Sequence, residues 1–173
     1  MTFIWQLENF CHDARLPSTT YATPFNYLIV PKPEQMLRAS VGLAFRRARL
    51  QYIYSILRGK DLDTGLFSEE RREQQFEKLK IAQAHTLDIQ NWHEFIKALK
   101  QAGYNNESFI SSNNNILYSY VFFLIGRIDY KVDLYELKKL IAKWFFMCSI
   151  TGRYTGSPET AMEMDLARFR SVD

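Results

Sequence analysis

Apolar positions in the last third of the chain follow one helix face. Leu134, Leu137, Ile141, Trp144, Phe145 and Cys148 recur at three- and four-residue spacing. Asp133 and Glu136 have capping-box spacing, so a helix is expected to start at Leu134. From Trp144 to Ile150 the run is apolar almost all round. Its far end is therefore expected to be buried on every side, with Trp144 and Phe145 in the core. Gly152 can take the left-handed conformation that ends such a helix. Ser157, Pro158 and Glu159 read as N-cap, first helical proline and an acid on the positive helix end. Met162, Leu166 and Phe169 then form the inner face of a last helix. The two helices are expected to meet at a tight corner displaying Arg153 and Tyr154.

The same periodicity predicts helices upstream. Residues 34–58 read as one long helix closed by Gly59. Leu37, Val41, Ala44, Phe45, Ala48, Tyr52 and Ile56 form one stripe, and Met36, Leu43, Leu50, Tyr54 and Leu57 another nearly opposite. Two apolar faces mark a central helix, with Gly42 explained by close approach of a neighbour. Ser68 caps an outer helix from Glu69 to about His85, whose stripe is Phe76, Leu79 and Ala82. Asn91 reads as the cap of a helix carrying Trp92, Phe95, Ile96, Leu99 and Ala102 on one face and stopped by Gly103. Residues 116–125 suit a buried helix or a buried strand. The surrounding helices and the stopping Gly126 favour a helix, since a lone strand leaves backbone groups unpaired.

Four of the five prolines lie in the first 33 residues, and none lies in 34–157. Residues 1–33 are therefore expected to be an irregular N-terminal arm, with a short helical turn at Ile4 to Asp13. Residues 34–173 are expected to be an all-helical domain. The fold class is all-α: a single compact helical domain of about six helices.

Composition adds little: 173 residues, 47% hydrophobic, 24% charged, net charge +3. Neither a signal peptide nor a membrane span is visible, so a cytoplasmic protein without a membrane partner is expected. Cys148 reads as a packed thiol, and Cys11 lies in an unlike context.

Candidate chemistry is sparse. His12, His85 and His93 lack metal spacing, and Cys11-His12 is a weak nucleophile–base pair. Asp61, Asp63 and Gly65 read as turn formers rather than a cation loop. No phosphate-binding loop and no nucleophile elbow occur. No catalytic residue, metal ligand or cofactor is assigned. Trp92, Tyr118, Tyr120, Phe122, Trp144 and Phe145 suit a core better than a base-stacking platform.

Charge is the clearest signal outside the core. Residues 34–60 carry Arg38, Arg46, Arg47, Arg49, Arg58 and Lys60 against Glu34 alone. Arg38, Arg46 and Arg49 fall on one edge between the two apolar stripes. That edge is a candidate phosphate contact line, or a set of partners for acids such as Glu73 and Glu77. Arg153 and Asp165 form either a charged site or a structural joint, and the joint is favoured.

The Trp144-Phe145-Phe146 run, the Gly152-Arg153-Tyr154 turn and the continuation Ser157-Pro158-Glu159 to Asp165-Leu166 resemble the helical part of GmrSD-type restriction proteins. The resemblance extends through Tyr118–Arg127 and more loosely to 45–49 and 58–61, spanning most of residues 34–170. It implies a part in nucleotide-dependent restriction of modified phage DNA. The implied partners are DNA and the nucleotide-using and nuclease domains of the same or another chain. The family's Asp-Gly-Gln-Gln-Arg and His-Asn-His motifs are absent here, so no catalytic residue carries over. Arg153, Tyr154, Ser157, Glu159 and Asp165 match the family-like corner. The chain is expected to be a non-catalytic fragment or accessory module. The alternative is a structural or protein-interaction domain with no nucleic-acid role.

Overall fold

The capping residues build most of the helices where the sequence places them. A computed structural model describes residues 3–13, 29, 31–62, 64–106, 110 and 112–170. Among these are eight helices: α1 (Phe3–Asp13), α2 (Pro33–Phe45), α3 (Leu50–Leu57), α4 (Glu69–Thr86), α5 (Ile89–Gln101), α6 (Asn113–Ile128), α7 (Leu134–Thr151) and α8 (Pro158–Ala167). No strand occurs among the described residues, and a single antiparallel bridge joins Lys60 to Phe67. The all-α expectation holds, with eight helices in place of about six.

Two differences account for the count. First, Phe3–Asp13 is a full helix, and it inserts Leu7, Phe10 and Cys11 into the core, Phe10 lying edge-on to Trp92. This part of the expected irregular arm is ordered because its apolar residues have a partner surface. Residues 14–28 and 30 of that arm lie outside the described residues. Second, the long helix expected over 34–58 is broken into α2 and α3. Arg46 takes a left-handed conformation (φ 54°) at the end of α2, and Arg49 is the extended cap of α3. Glu163 of α8 supplies acceptors at the break: its Oε2 accepts from Ala48 N (2.7 Å) and Arg49 N (3.2 Å), while its Oε1 pairs with Arg47 (2.8 Å). The carboxylate satisfies backbone donors that a helix start leaves bare.

Within α2 the central placement is right. α2 packs against both α4 and α6. Gly42 lets α6 approach, since a Cβ there would lie 3.2 Å from a Val121 methyl carbon. Gly126 is not a helix stop: it lies inside α6, where Leu137 fills the space a Cβ would take. α5 starts earlier than expected, because Asp88 rather than Asn91 is its cap and accepts from Gln90 N. Asn91 is instead buried and donates to the carbonyl of His85 (2.9 Å). Residues 116–125 are helical, and Tyr120, Phe123, Leu124 and Phe95 form the centre of the core with Phe145.

The end of α7 departs most from expectation. Asp133 caps it, accepting from Tyr135 N and Glu136 N, and Gly152 closes it at φ 59°. Yet the far end is not buried on every side. Phe146, Met147 and Ile150 are 47%, 49% and 67% exposed, and Trp144 is only half-buried. The core accepts Ile141, Phe145 and Cys148, one side of the helix, and no element covers the other among the described residues.

Phe145→Ala is expected to lose about 3–5 kcal/mol, and Trp144→Ala clearly less, in denaturant unfolding. Equal losses would mean that Trp144 is fully enclosed. Removing Glu163 by Glu163→Ala is expected to lose roughly 2–4 kcal/mol, because two backbone N–H groups and Arg47 lose their acceptor. Burial raises the Glu163 carboxyl pKa, but the bonds from Ala48 N, Arg47 and Arg49 N outweigh it and hold the value below the ordinary 4.5. A depressed folded value stabilises fully above the unfolded one and is lost as pH falls through it. The stability gap between parent and Glu163→Gln should therefore shrink only below about pH 4.5, and a gap constant into stronger acid would refute the assignment.

Candidate functional site

The corner between α7 and α8 brings together Arg153, Tyr154 and Asp165. After Gly152 the chain turns, with Arg153 N bonded back to Cys148 O. Pro158 occupies the first helical position of α8 behind Ser157, whose hydroxyl makes no capping bond. Asp165, two turns into α8, is buried and faces back toward the turn. Arg153 donates to it through both Nε (2.8 Å) and Nη2, a forked pair, and Tyr154 Oη donates to Oδ2 (2.8 Å). Tyr154 is 1% exposed, so it is enclosed rather than displayed. Its ring meets Tyr118 edge-on at 4.8 Å, and the Arg153 guanidinium lies over the Trp144 ring at 5.8 Å.

The electrostatics keep these groups in one state. Burial, then the bond to Asp165, pushes the Tyr154 phenol far up, so it remains a donor. Asp165 likewise holds the proton on Arg153 more tightly. Burial pushes the Cys148 thiol up to about 11, which leaves it protonated and a poor nucleophile at neutral pH. Arg153 and Tyr154, both bonded to the buried Asp165, make a joint.

The expected edge of Arg38, Arg46 and Arg49 is not a continuous line, because the break at 46–49 turns the later residues onto a different helix. Arg38 pairs with Glu159 on α8 (2.7 Å), which places the corner's other acid against it. Arg46 folds back to the Leu43 carbonyl at the end of α2 and reaches Asp129 at the end of α6. Arg49 reaches the Thr160 hydroxyl (3.3 Å). The expected partners Glu73 and Glu77 take no part in these contacts; Glu77 pairs with Lys80. The acids that meet these arginines come from α6 and α8, which no local spacing reveals.

Asp61 accepts from Thr64 N and pairs with Arg71, a turn-forming role, while Asp63 lies outside the described residues. Among the described residues no group of three His, Cys, Asp or Glu side chains could hold a metal ion. No helix among them is long and apolar enough to cross a membrane.

One open feature was missed in the sequence. Trp144, Phe122, Phe169 and Tyr130 form a run of ring contacts at 5.3, 5.5 and 6.0 Å. With Val132 and Leu140 they line a groove of about 420 Å³ between α6, α7 and the end of α8. The surplus of apolar residues around α7 was its signal.

Comparison with known protein families, curated proteins and solved structures returns no match.

The joint generates a prediction. Asp165→Ala is expected to lose roughly 2–3 kcal/mol, a modest loss because Arg153 keeps access to water. Tyr154→Phe should lose about 1 kcal/mol. Urea unfolding of both variants checks this, and an unaltered midpoint for Asp165→Ala would show that the corner is not a stabilising joint.

Proposed function

We propose that this chain is a non-catalytic helical module of a GmrSD-type, modification-dependent DNA restriction protein, and that its role is to couple domains. The observation that carries the coupling role is the pairing of half of the basic segment's cations: Arg38, Arg46 and Arg47 each meet a carboxylate, of Glu159, Asp129 and Glu163 in turn. Arginines tied in this way brace helices against one another and offer little free charge to a phosphate backbone. The family assignment rests on the residues of the corner, where Arg153, Tyr154 and Asp165 act as one unit. A rigid joint between two helices suits a part that transmits position between a nucleotide-using domain and a nuclease domain.

The second reading, an interaction domain with no nucleic-acid role, is favoured by the same paired arginines and by the open apolar side of α7. The reading frame around this segment separates the two. A flanking Asp-Gly-Gln-Gln-Arg domain and a nuclease domain support the restriction reading, and a frame without them removes it.

The experiment on the protein itself is a titration of duplex DNA at two salt concentrations with the parent and an Arg38→Glu, Arg46→Glu, Arg49→Glu variant. The expected outcome is weak binding by both and a marked loss of stability in the variant. A parent that binds tightly with a steep salt dependence, which a folded variant loses, would instead make this edge a DNA contact.

A further inference from the structure

We infer that the groove along α7 receives an acidic amphipathic helix of a protein partner, with its apolar ridge against Trp144 and Leu140 and its carboxylates facing a basic rim. This rests on the coupling role proposed above and names the chemistry of what is coupled.

The shape argues for a helix. From Leu140 to Ile150 the open side of α7 runs ten residues, about 15 Å, or close to three turns of a partner helix. Leu140 is more than half exposed beside the groove floored by Phe122 and Trp144, and Met147 and Ile150, outside the groove lining, continue the exposed apolar surface of α7. An apolar ridge laid into such a groove is a recurrent way of binding an amphipathic helix. The rings there pack edge to face, Phe122 on Trp144 at 76° and Tyr130 on Phe169 at 68°. Ring planes engaged with one another present a hydrocarbon wall and not a stack of free faces for bases.

The charge argues for an acidic partner. Arg168 lines the groove, Lys131 sits between the lining residues Tyr130 and Val132, and Lys143 lies one turn beyond Leu140. All three are exposed, and none has an acidic partner among the described residues. The nearby acids are engaged: Asp129 with Arg46, Glu136 with Lys139, Asp165 with Arg153, and Asp133 in capping α7. A positive rim around an apolar floor selects carboxylates flanking an apolar ridge, and it suppresses basic competitors. The Trp144 indole N–H is also buried without an acceptor among the described residues. A docked segment that shifts this ring can supply one.

The test uses two synthetic labelled helical peptides of about three turns. Both have the same leucine and phenylalanine ridge; one is flanked by glutamate and the other by lysine. Fluorescence anisotropy against the full chain is expected to show the glutamate peptide binding about tenfold tighter at low salt, with the gap closing as salt rises. A Lys131→Glu, Lys143→Glu, Arg168→Glu variant should reverse the preference, and Leu140→Glu should weaken both peptides. These positions are exposed, and circular dichroism checks that each variant keeps its fold. Equal binding of the two peptides, no binding of either, or an affinity untouched by charge reversal overturns the inference. Displacement of the glutamate peptide by duplex DNA does so too, by making the surface a nucleic-acid site. The reading-frame observation is independent: its failure removes the restriction role and leaves peptide binding intact, whereas failure of peptide binding leaves that role standing.

Discussion

The carboxylate of Glu163 is the contact on which the arrangement of helices depends. It is buried, and its two oxygens serve the backbone N–H groups of Ala48 and Arg49 and the side chains of Arg47 and Arg170. Without it, the start of α3 would leave donors unsatisfied beneath α8, each at a cost of about 1–3 kcal/mol. With it, the chain can stop α2 at Phe45, turn through Arg46 and begin α3 in a new direction. Asp165 stands two residues further along α8 and so points roughly to the opposite side. One helix thus holds the α2–α3 break with one acid and the α7–α8 corner with the other, while Met162 and Leu166 enter the core.

This use of acids decides what the basic residues can do. The segment 34–60 has the chain's densest positive charge, yet Arg38, Arg46 and Arg47 serve as ties to α6 and α8. Arg58 and Lys60 take another course and lie over the exposed Phe67 ring at 5.7 Å each. Lys131, Lys143 and Arg168, which have no acidic partner among the described residues, flank the groove and belong to three different stretches of sequence. Which cations are tied to carboxylates depends on how helices from distant positions pack, so a count of charges along the sequence does not show it.

Local chemistry was legible where a residue acts within its own turn. Ser68 caps α4, Asp133 caps α7, Gly152 and Gly103 take positive φ at helix ends, and Pro158 opens α8. The pairing of Arg153 with Asp165 was legible as well, since both lie at one corner twelve residues apart. Periodicity also identified Phe95, Leu99, Phe145 and Leu166 as core, because their spacing leaves them no other side to face.

The sequence by itself determined an all-helical chain with these ends and this corner, because capping, glycine conformation and helical periodicity act over a few residues. Only the tertiary structure decided that residues 46–49 would not stay helical, because the acceptor for the N–H groups of Ala48 and Arg49 comes from Glu163, 115 residues from Ala48. It likewise decided that Tyr154 is enclosed while Phe146 and Ile150 are exposed. An apolar side chain is buried only where another element arrives to cover it, and which elements arrive is set by the packing of the whole chain.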